Sequence, residues 1–188
     1  MDKKTIIHDF DRIATIAGQY GSGSDRYDKF LCSLVPSEAV SIADIGCGLG
    51  RLSIKLAAGN CQVRGIDISP EMITRAKKNA SDERNISFVC GDFLTDERLD
   101  GKFDCVVTAA TLHHVDLETG VLRLMDLVDE GGRLIIHDLR DNTTTFEEVK
   151  SLFTLAQTGL IRFVRTGNPF LPHSLSRAWD EHGDKEKY

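Results

Sequence analysis

The five cysteines, Cys32, Cys47, Cys61, Cys90 and Cys105, contain no C-x-x-C pair. Without such a pair neither a zinc site nor a disulfide framework is indicated, and an odd number of thiols in apolar, strand-like runs fits a reducing cytoplasm. Long apolar runs are missing too. No stretch approaches the length of a membrane span, and Met1-Asp-Lys-Lys4 lacks the apolar centre of a signal peptide. An excess of basic residues is also absent: a net charge of −6 leaves no broad basic face for a nucleic-acid backbone. Nor does the composition break into two parts. The 188 residues, 41% hydrophobic and 28% charged, describe one soluble domain large enough to bury a full core.

What is present is organised around Ser41-Ile-Ala-Asp-Ile-Gly-Cys-Gly-Leu-Gly50. The apolar run at its start suits a buried strand, and Arg51-Leu-Ser-Ile-Lys-Leu-Ala-Ala58 after it suits a helix. Glycine at every second position between them lets the backbone turn at positive φ and strips away the Cβ atoms that keep a ligand off the main chain. A flat or anionic group can then rest on amides at the start of the helix. A tight turn holding nothing is the plain alternative for this stretch taken alone.

Ahead of the loop, Ile6, Phe10, Ile13 and Ala17 recur at spacings of three and four and predict an amphipathic helix over 5–20. A second short helix is expected from Tyr27 to Leu34, stopped by Pro36. Tyr20 and Tyr27 sit at the junctions, where each either covers a ligand above the glycine loop or packs a helix end; Tyr20 is the candidate contact. After the loop, Gly59 is the expected C-cap and Gln62-Val-Arg-Gly-Ile66 a second strand with Asp67 at its tip. Ser69, Pro70 and Glu71 start a helix to about Asn79, as N-cap, first helical residue and first-turn acid. Ile86-Ser-Phe-Val-Cys90 is a third strand closed by Gly91-Asp92-Phe93, and Phe103-Asp-Cys-Val-Val-Thr108 a fourth. A helix over 117–128 is expected to end at Gly131-Gly132, followed by a fifth strand, Arg133-Leu-Ile-Ile-His137, with Asp138 at its tip.

Strands alternating with helices predict an α/β fold, a doubly wound, mainly parallel sheet with helices on both faces. Ligands in such sheets bind beyond the carboxyl ends of the strands, where strand order reverses. Gly46 to Gly50, Asp67, Asp92, Ala109 to His114 and Asp138 all fall on that rim. A carboxylate at the second strand tip can accept from ribose hydroxyls, and one at the third from an exocyclic amine beside an aromatic ring.

With these elements in order, the sequence resembles the class I S-adenosylmethionine-dependent methyltransferases, which share a Rossmann-like sheet. The resemblance covers about residues 40–140 and rests on Asp44-Ile-Gly-Cys-Gly-Leu-Gly50, Gly65-Ile-Asp-Ile-Ser-Pro-Glu-Met72, Gly91-Asp92, Phe103-Asp-Cys-Val-Val107, Leu112-His-His-Val115 and Glu130-Gly-Gly-Arg-Leu134. It implies that S-adenosylmethionine is the cofactor and that Asp44, Gly46, Cys47 and Gly48 lie against it, the last three through their main chain. It further implies that Asp67 holds the ribose, Ile68 and Met72 pack on the adenine, Asp92 with Phe93 reads its amino edge, and Ala109 meets the methionine part. A nicotinamide dinucleotide is the competing ligand for a glycine loop, but the glycines here run G-x-G-x-G and not G-x-G-x-x-G. His113 and His114 follow the fourth strand; His113 is the candidate general base, with shaping of the loop as the plain alternative.

Two signatures of related enzymes are lacking: an Asn-Pro-Pro-Tyr type tetrapeptide after the fourth strand and a Pro-Cys nucleophile. Their absence points away from nucleic-acid bases and glutamine and toward a small-molecule acceptor. Between Val149 and Trp179 there is no acidic residue, while Lys150, Arg162, Arg165 and Arg177 stand among apolar side chains. A helix from about Thr145 to Arg165 is expected there. It fits an anionic or lipophilic acceptor or a membrane surface, with a helix simply covering the sheet favoured over both. The expected organisation is thus a helical cap over 1–38, a cofactor-binding core over 39–140 and a helical segment over 141–188. The antiparallel strands that usually follow the fifth strand in this family are not found between Thr166 and Tyr188, so either the chain is truncated, the favoured expectation, or the fifth strand is an edge that a helix or a partner chain covers. A non-catalytic, cofactor-binding or regulatory protein of the same fold is the second functional reading.

Overall fold

The computed structural model describes residues 2–17, 25–58, 60–99 and 101–138, together with Ala178. Tyr20, Gly59, the helix expected from about Thr145 to Arg165 and the C-terminal stretch expected to lack strands lie outside the described residues.

Helix α1 spans Lys3–Ala17 and α2 Asp25–Leu34, followed by β1 (Ser41–Ile45), α3 (Arg51–Ala57), β2 (Gln62–Asp67), α4 (Pro70–Asn79), β3 (Ile86–Cys90), β4 (Phe103–Ala109), α5 (Leu117–Leu127) and β5 (Val128–His137). Short 3-10 turns occupy Glu97–Leu99 and Leu112–His114. The strands form one sheet in the order β3-β2-β1-β4-β5, every neighbouring pair parallel. Strand order reverses between β1 and β4, so the crevice of this doubly wound sheet opens where β1 ends. Ile45 stands beside Ile66 on one side and Thr108 on the other, which brings the ends of β1, β2 and β4 level.

Strand alternation divides the core between the two faces. Ile42, Val63, Cys105 and Val107 pack with Leu31 of α2 and Leu52 and Leu56 of α3, whereas Ala43, Ile45, Ile66 and Val106 pack with Leu124 and Leu127 of α5. A third cluster joins Ile13 and Ala14 of α1 to Met72 of α4 and to Ala178. The capping of α4 follows its sequence. The Ser69 hydroxyl accepts the Met72 N–H at 3.0 Å, and Pro70 occupies the first turn, where no intrahelical donor is needed.

The α5 boundary differs from expectation. The helix stops at Leu127, before Gly131-Gly132, because Val128 turns extended at φ −80°, ψ 133° and already pairs with Phe103. The glycine pair therefore lies within β5, at a register irregularity opposite Phe103 and Cys105. A Cβ on Gly132 would come within 2.9 Å of the Asp104 carbonyl oxygen, so the close approach of the two backbones requires glycine there.

Candidate cofactor-binding site

A cavity of about 520 Å3 lies over the reversal point, within the roughly 300–1,000 Å3 usual for small-molecule sites. Its floor is the turn from β1 into α3. Gly46, Gly48 and Gly50 have φ of 72°, 51° and 75°, all in the left-handed region, and the Gly46 and Cys47 N–H groups donate to the Ile66 carbonyl. No heavy atom lies within 4 Å of where a Gly48 Cβ would stand, so a ligand can lie directly on this backbone.

Of the residues expected to hold a cofactor, Asp44, Gly46, Cys47, Gly48, Asp67, Ile68, Met72, Asp92, Phe93 and Ala109 all line this cavity. Asp67 accepts the Gly48 N–H on one carboxylate oxygen and the Ser69 N–H on the other, both at 2.9 Å, so it ties the glycine loop to the start of α4. Burial raises its pKa against the lowering effect of those two bonds. Asp92 accepts the Leu94 N–H at 3.0 Å and the Lys3 ammonium at 2.5 Å, a bond that draws α1 to the end of β3. Buried Cys47 has its thiol pushed well up by desolvation, so it contributes shape and main chain and no thiolate. Ala110, next to Ala109, is held at φ +56°, rare for a residue with a Cβ, by its N–H bond to the His137 carbonyl at 2.8 Å.

Asp44 is 1% exposed and accepts the Ser53 hydroxyl at 2.5 Å. Desolvation, opposed by that bond and reinforced by the nearby Asp67 and Asp28 charges, raises its carboxyl to about 6. A folded-state value above that of the unfolded chain means that the native protein binds the extra proton, so stability from this group is greatest at low pH. It declines as pH rises from about 4 to about 6, by on the order of 3 kcal/mol at most. The isosteric Asp44→Asn is accordingly expected to be more stable than the native chain above pH 6 and to lose that advantage below pH 4. Urea unfolding of both proteins across this range checks it; parallel curves would refute it.

The two histidines separate. His114 lies on the cavity wall and meets Phe10 edge to face at 5.2 Å between centroids. His113, whose ring centroid is 3.9 Å from that of His114, is not among the lining residues. Its Nδ1 bonds Asp138 at 2.5 Å, while the same carboxylate accepts the Thr111 and Leu112 N–H groups. Tyr27 turns away from the cavity, half exposed, to the His137 ring.

The sequence predicts a helical cap over 1–38 but singles out none of its α1 side chains as lining the cavity. Lys3, Ile6, Phe10, Ile13 and Ala17 line the cavity, so the α1 stripe read as a helix face covers ligand space. The Ser69 hydroxyl and the Glu71 N–H both donate to Asp11, fixing α1 over α4. Asp28 and Arg51 also line the wall, and neither has a local signature. The only available signal was the gap-free spacing of three and four in α1.

A parallel sheet with a glycine turn after its first strand and carboxylates at the next two strand tips defines a nucleoside-binding α/β domain. The family model described as a methyltransferase domain matches residues 36–183, and the chain belongs to that family. The match runs well past the 40–140 stretch that carries the motifs.

An uncharacterized methyltransferase of Mycobacterium tuberculosis is 35% identical over 112 residues, 59% of this chain and 56% of the relative, so the chain spans little more than half of that protein. Among solved structures, magnesium protoporphyrin IX methyltransferase from Synechocystis PCC 6803 with bound S-adenosylmethionine aligns at a TM-score of 0.58. The two are 24% identical, over 85% of this chain and 86% of that one. The cyclase SpnF aligns at a TM-score of 0.63 and 17% identity, over 72% and 60%. The last name shows that the fold alone does not set the reaction. Among the described residues no helix is long and apolar enough to cross a membrane, and no group of side chains is arranged to hold a metal ion.

Proposed function

We propose that this protein binds S-adenosylmethionine and transfers its methyl group to a small-molecule acceptor. The observation that carries the reading is the convergence in one cavity of the glycine turn, Asp44, Asp67 and Asp92, under a roof of α1. The chain's groups match the parts of such a cofactor. Asp67 takes the ribose hydroxyls, Ile68 and Met72 flank the base, Asp92 and Phe93 face its amino edge, and Ala109 meets the amino-acid part. Bound, the cofactor supplies a methyl group already activated on a sulfonium. The protein's share is alignment of the nucleophile and exclusion of water, to which the apolar α1 stripe is suited.

Proton removal from the acceptor is assigned to His113 in this proposal, acting from beside His114 and off the cavity wall, so the acceptor's nucleophilic group has to project past His114 to meet it. With the Nδ1 proton given to Asp138, the basic lone pair is on Nε2, the arrangement a general base needs. An acceptor reaching it enters over the β4 and β5 rim, beside the His114 wall. His113→Gln is expected to lower kcat about tenfold, at the low end of what a positioned base contributes, and to leave cofactor affinity unchanged. Equal losses in both would make the ring a structural support.

Calorimetric titration of the full chain with S-adenosylmethionine tests the first step, with a nicotinamide dinucleotide as comparison. Binding of the former alone is expected. Binding of the dinucleotide alone, or of neither, would sink the assignment. Transfer of labelled methyl to a panel of anionic and lipophilic small molecules then separates an enzyme from a cofactor-binding protein without turnover.

A further inference from the structure

The cofactor parts assigned above run along the strand tips in one direction, from Asp92 at β3 and Asp67 at β2, past the glycine turn at β1, to Ala109 at β4. The next tip in the sheet is that of β5, and no cofactor part is assigned to it. It lies close by. Ala109 pairs with His137, the last residue of β5, and neighbouring strands stand about 4.8 Å apart. Ala110, which lines the cavity, donates its N–H to the His137 carbonyl at 2.8 Å and so pins the two tips together.

An aromatic pair stands at the β5 tip. Helix α2 runs antiparallel to β5: Arg133 donates to the Leu34 carbonyl at 2.5 Å, Ile135 packs in one cluster with Leu31, and the His137 ring meets Tyr27 at 5.0 Å between centroids and 38° between planes. The three strand residues share a face by alternation, and the three helix residues share one by their spacing of three and four. The Tyr27 end of α2 is held firmly. The next residue, Asp28, is buried on the cavity wall and bonded by Arg51 and Lys55 of α3. Yet Tyr27 is 50% exposed, and Phe30, three residues on, 58%. These rings form an apolar strip that two elements fix and none covers, beginning one residue from the cavity wall.

We infer that Tyr27 and His137 form an outer acceptor subsite and that the acceptor is a hydroxylated aromatic ring, stacked on Tyr27 with its hydroxyl directed over Ala109 into the cavity. Paired aromatic rings gain from offset or tilted contact beyond the area they bury, and the exposed Tyr27 ring is placed to make it. A phenolic hydroxyl ionises near pH 10, as tyrosine does, which brings it within the range of an imidazole base. In the transfer its oxygen lone pair forms the new C–O bond, the C–S bonding pair returns to sulfur, and the phenolic proton passes to the base assigned above. The inference rests on the cavity being a methyl-donor site and names the class of acceptor.

The test compares naphthol with decalol, its fully hydrogenated form, each added to the full chain saturated with S-adenosylhomocysteine so that the cofactor space is filled. The chain has three tyrosines, so with isotope-labelled tyrosine the NMR signal of Tyr27 is the one lost in Tyr27→Phe. That signal is expected to shift with naphthol and to stay in place with decalol. In calorimetric titration the native protein is expected to prefer naphthol about fivefold. Tyr27→Leu and His137→Leu, which keep apolar bulk without the ring, should each reduce that preference to within twofold, and Tyr27→Phe should retain it. The native tyrosine signal decides the matter if a leucine variant fails to fold. A Tyr27 signal that naphthol leaves unmoved, or a native protein that binds both probes alike or neither, would overturn the inference. The cofactor reading would then still stand, because binding of S-adenosylhomocysteine is measured in its own titration. A chain that does not bind S-adenosylhomocysteine would overturn both.

Discussion

Asp67→Ala is expected to weaken S-adenosylmethionine binding at least a hundredfold, about 3 kcal/mol. Two losses add. The first is the ligand's own: the carboxylate at the β2 tip is the acceptor assigned to the ribose hydroxyls, and charge-assisted bonds of this kind are worth about 1.5–3 kcal/mol. The second is internal. With the carboxylate gone, the Gly48 and Ser69 N–H groups lose their acceptor, and the glycine loop is no longer tied to α4. Asp67→Asn separates these losses, because its amide oxygen can serve only one of the two donors while its NH2 faces the other; about a tenfold loss is expected. Calorimetric titration with the cofactor and with its demethylated product measures both variants, with circular dichroism to show that the fold persists. Native-like affinity in Asp67→Ala would remove the ribose from this strand tip.

Gly46→Ala is expected to lower stability by about 4 kcal/mol, from strain of about 1–2 kcal/mol at φ +72° and overpacking of about 1–3 kcal/mol. The added Cβ would stand 2.0 Å from Thr111 Oγ1 and 2.9 Å from Thr111 Cβ. Thr111 has little room to yield. Its hydroxyl bonds the Ile45 and Ala109 carbonyls, each at 3.3 Å, and its N–H bonds Asp138. Adding Thr111→Ala to Gly46→Ala should recover less than half of the loss, leaving the backbone strain and the 2.9 Å contact with the Cβ that alanine keeps. Gly48→Ala offers the contrast. At φ +51° with nothing within 4 Å of the new Cβ, it should cost about 1 kcal/mol of stability but place a methyl group where the ligand lies. Urea unfolding of the three variants checks the order; a Gly46→Ala protein as stable as Gly48→Ala would show that Thr111 moves aside freely.

Both predictions concern the part of the site that was legible in the chain. The strand at 41–45, the turn glycines, the N-cap at Ser69 and the strand tips Asp67 and Asp92 are local signals; the strand and the cap form as read, and Asp44, Gly46, Gly48, Asp67 and Asp92 line the cavity. The neighbouring contacts were not legible, because they join residues far apart in the sequence. Lys3 meets Asp92 across 89 positions, and Arg51 meets Asp28 across 23. The start of β5 at Val128 was also hidden, since Gly131-Gly132 reads locally as a helix stop and pairing with Phe103 is what makes it a strand.

The sequence by itself determined the alternating strands and helices, the glycine turn and the carboxylates that end β2 and β3, because apolar period, turn chemistry and capping act within a few residues. Only the tertiary structure decided that the α1 stripe roofs the cavity, that His114 and not His113 stands on its wall, and that Asp28 sets Arg51. Those relations depend on strand order and on the rotation of helices against the sheet, which bring distant segments together and which no local spacing encodes.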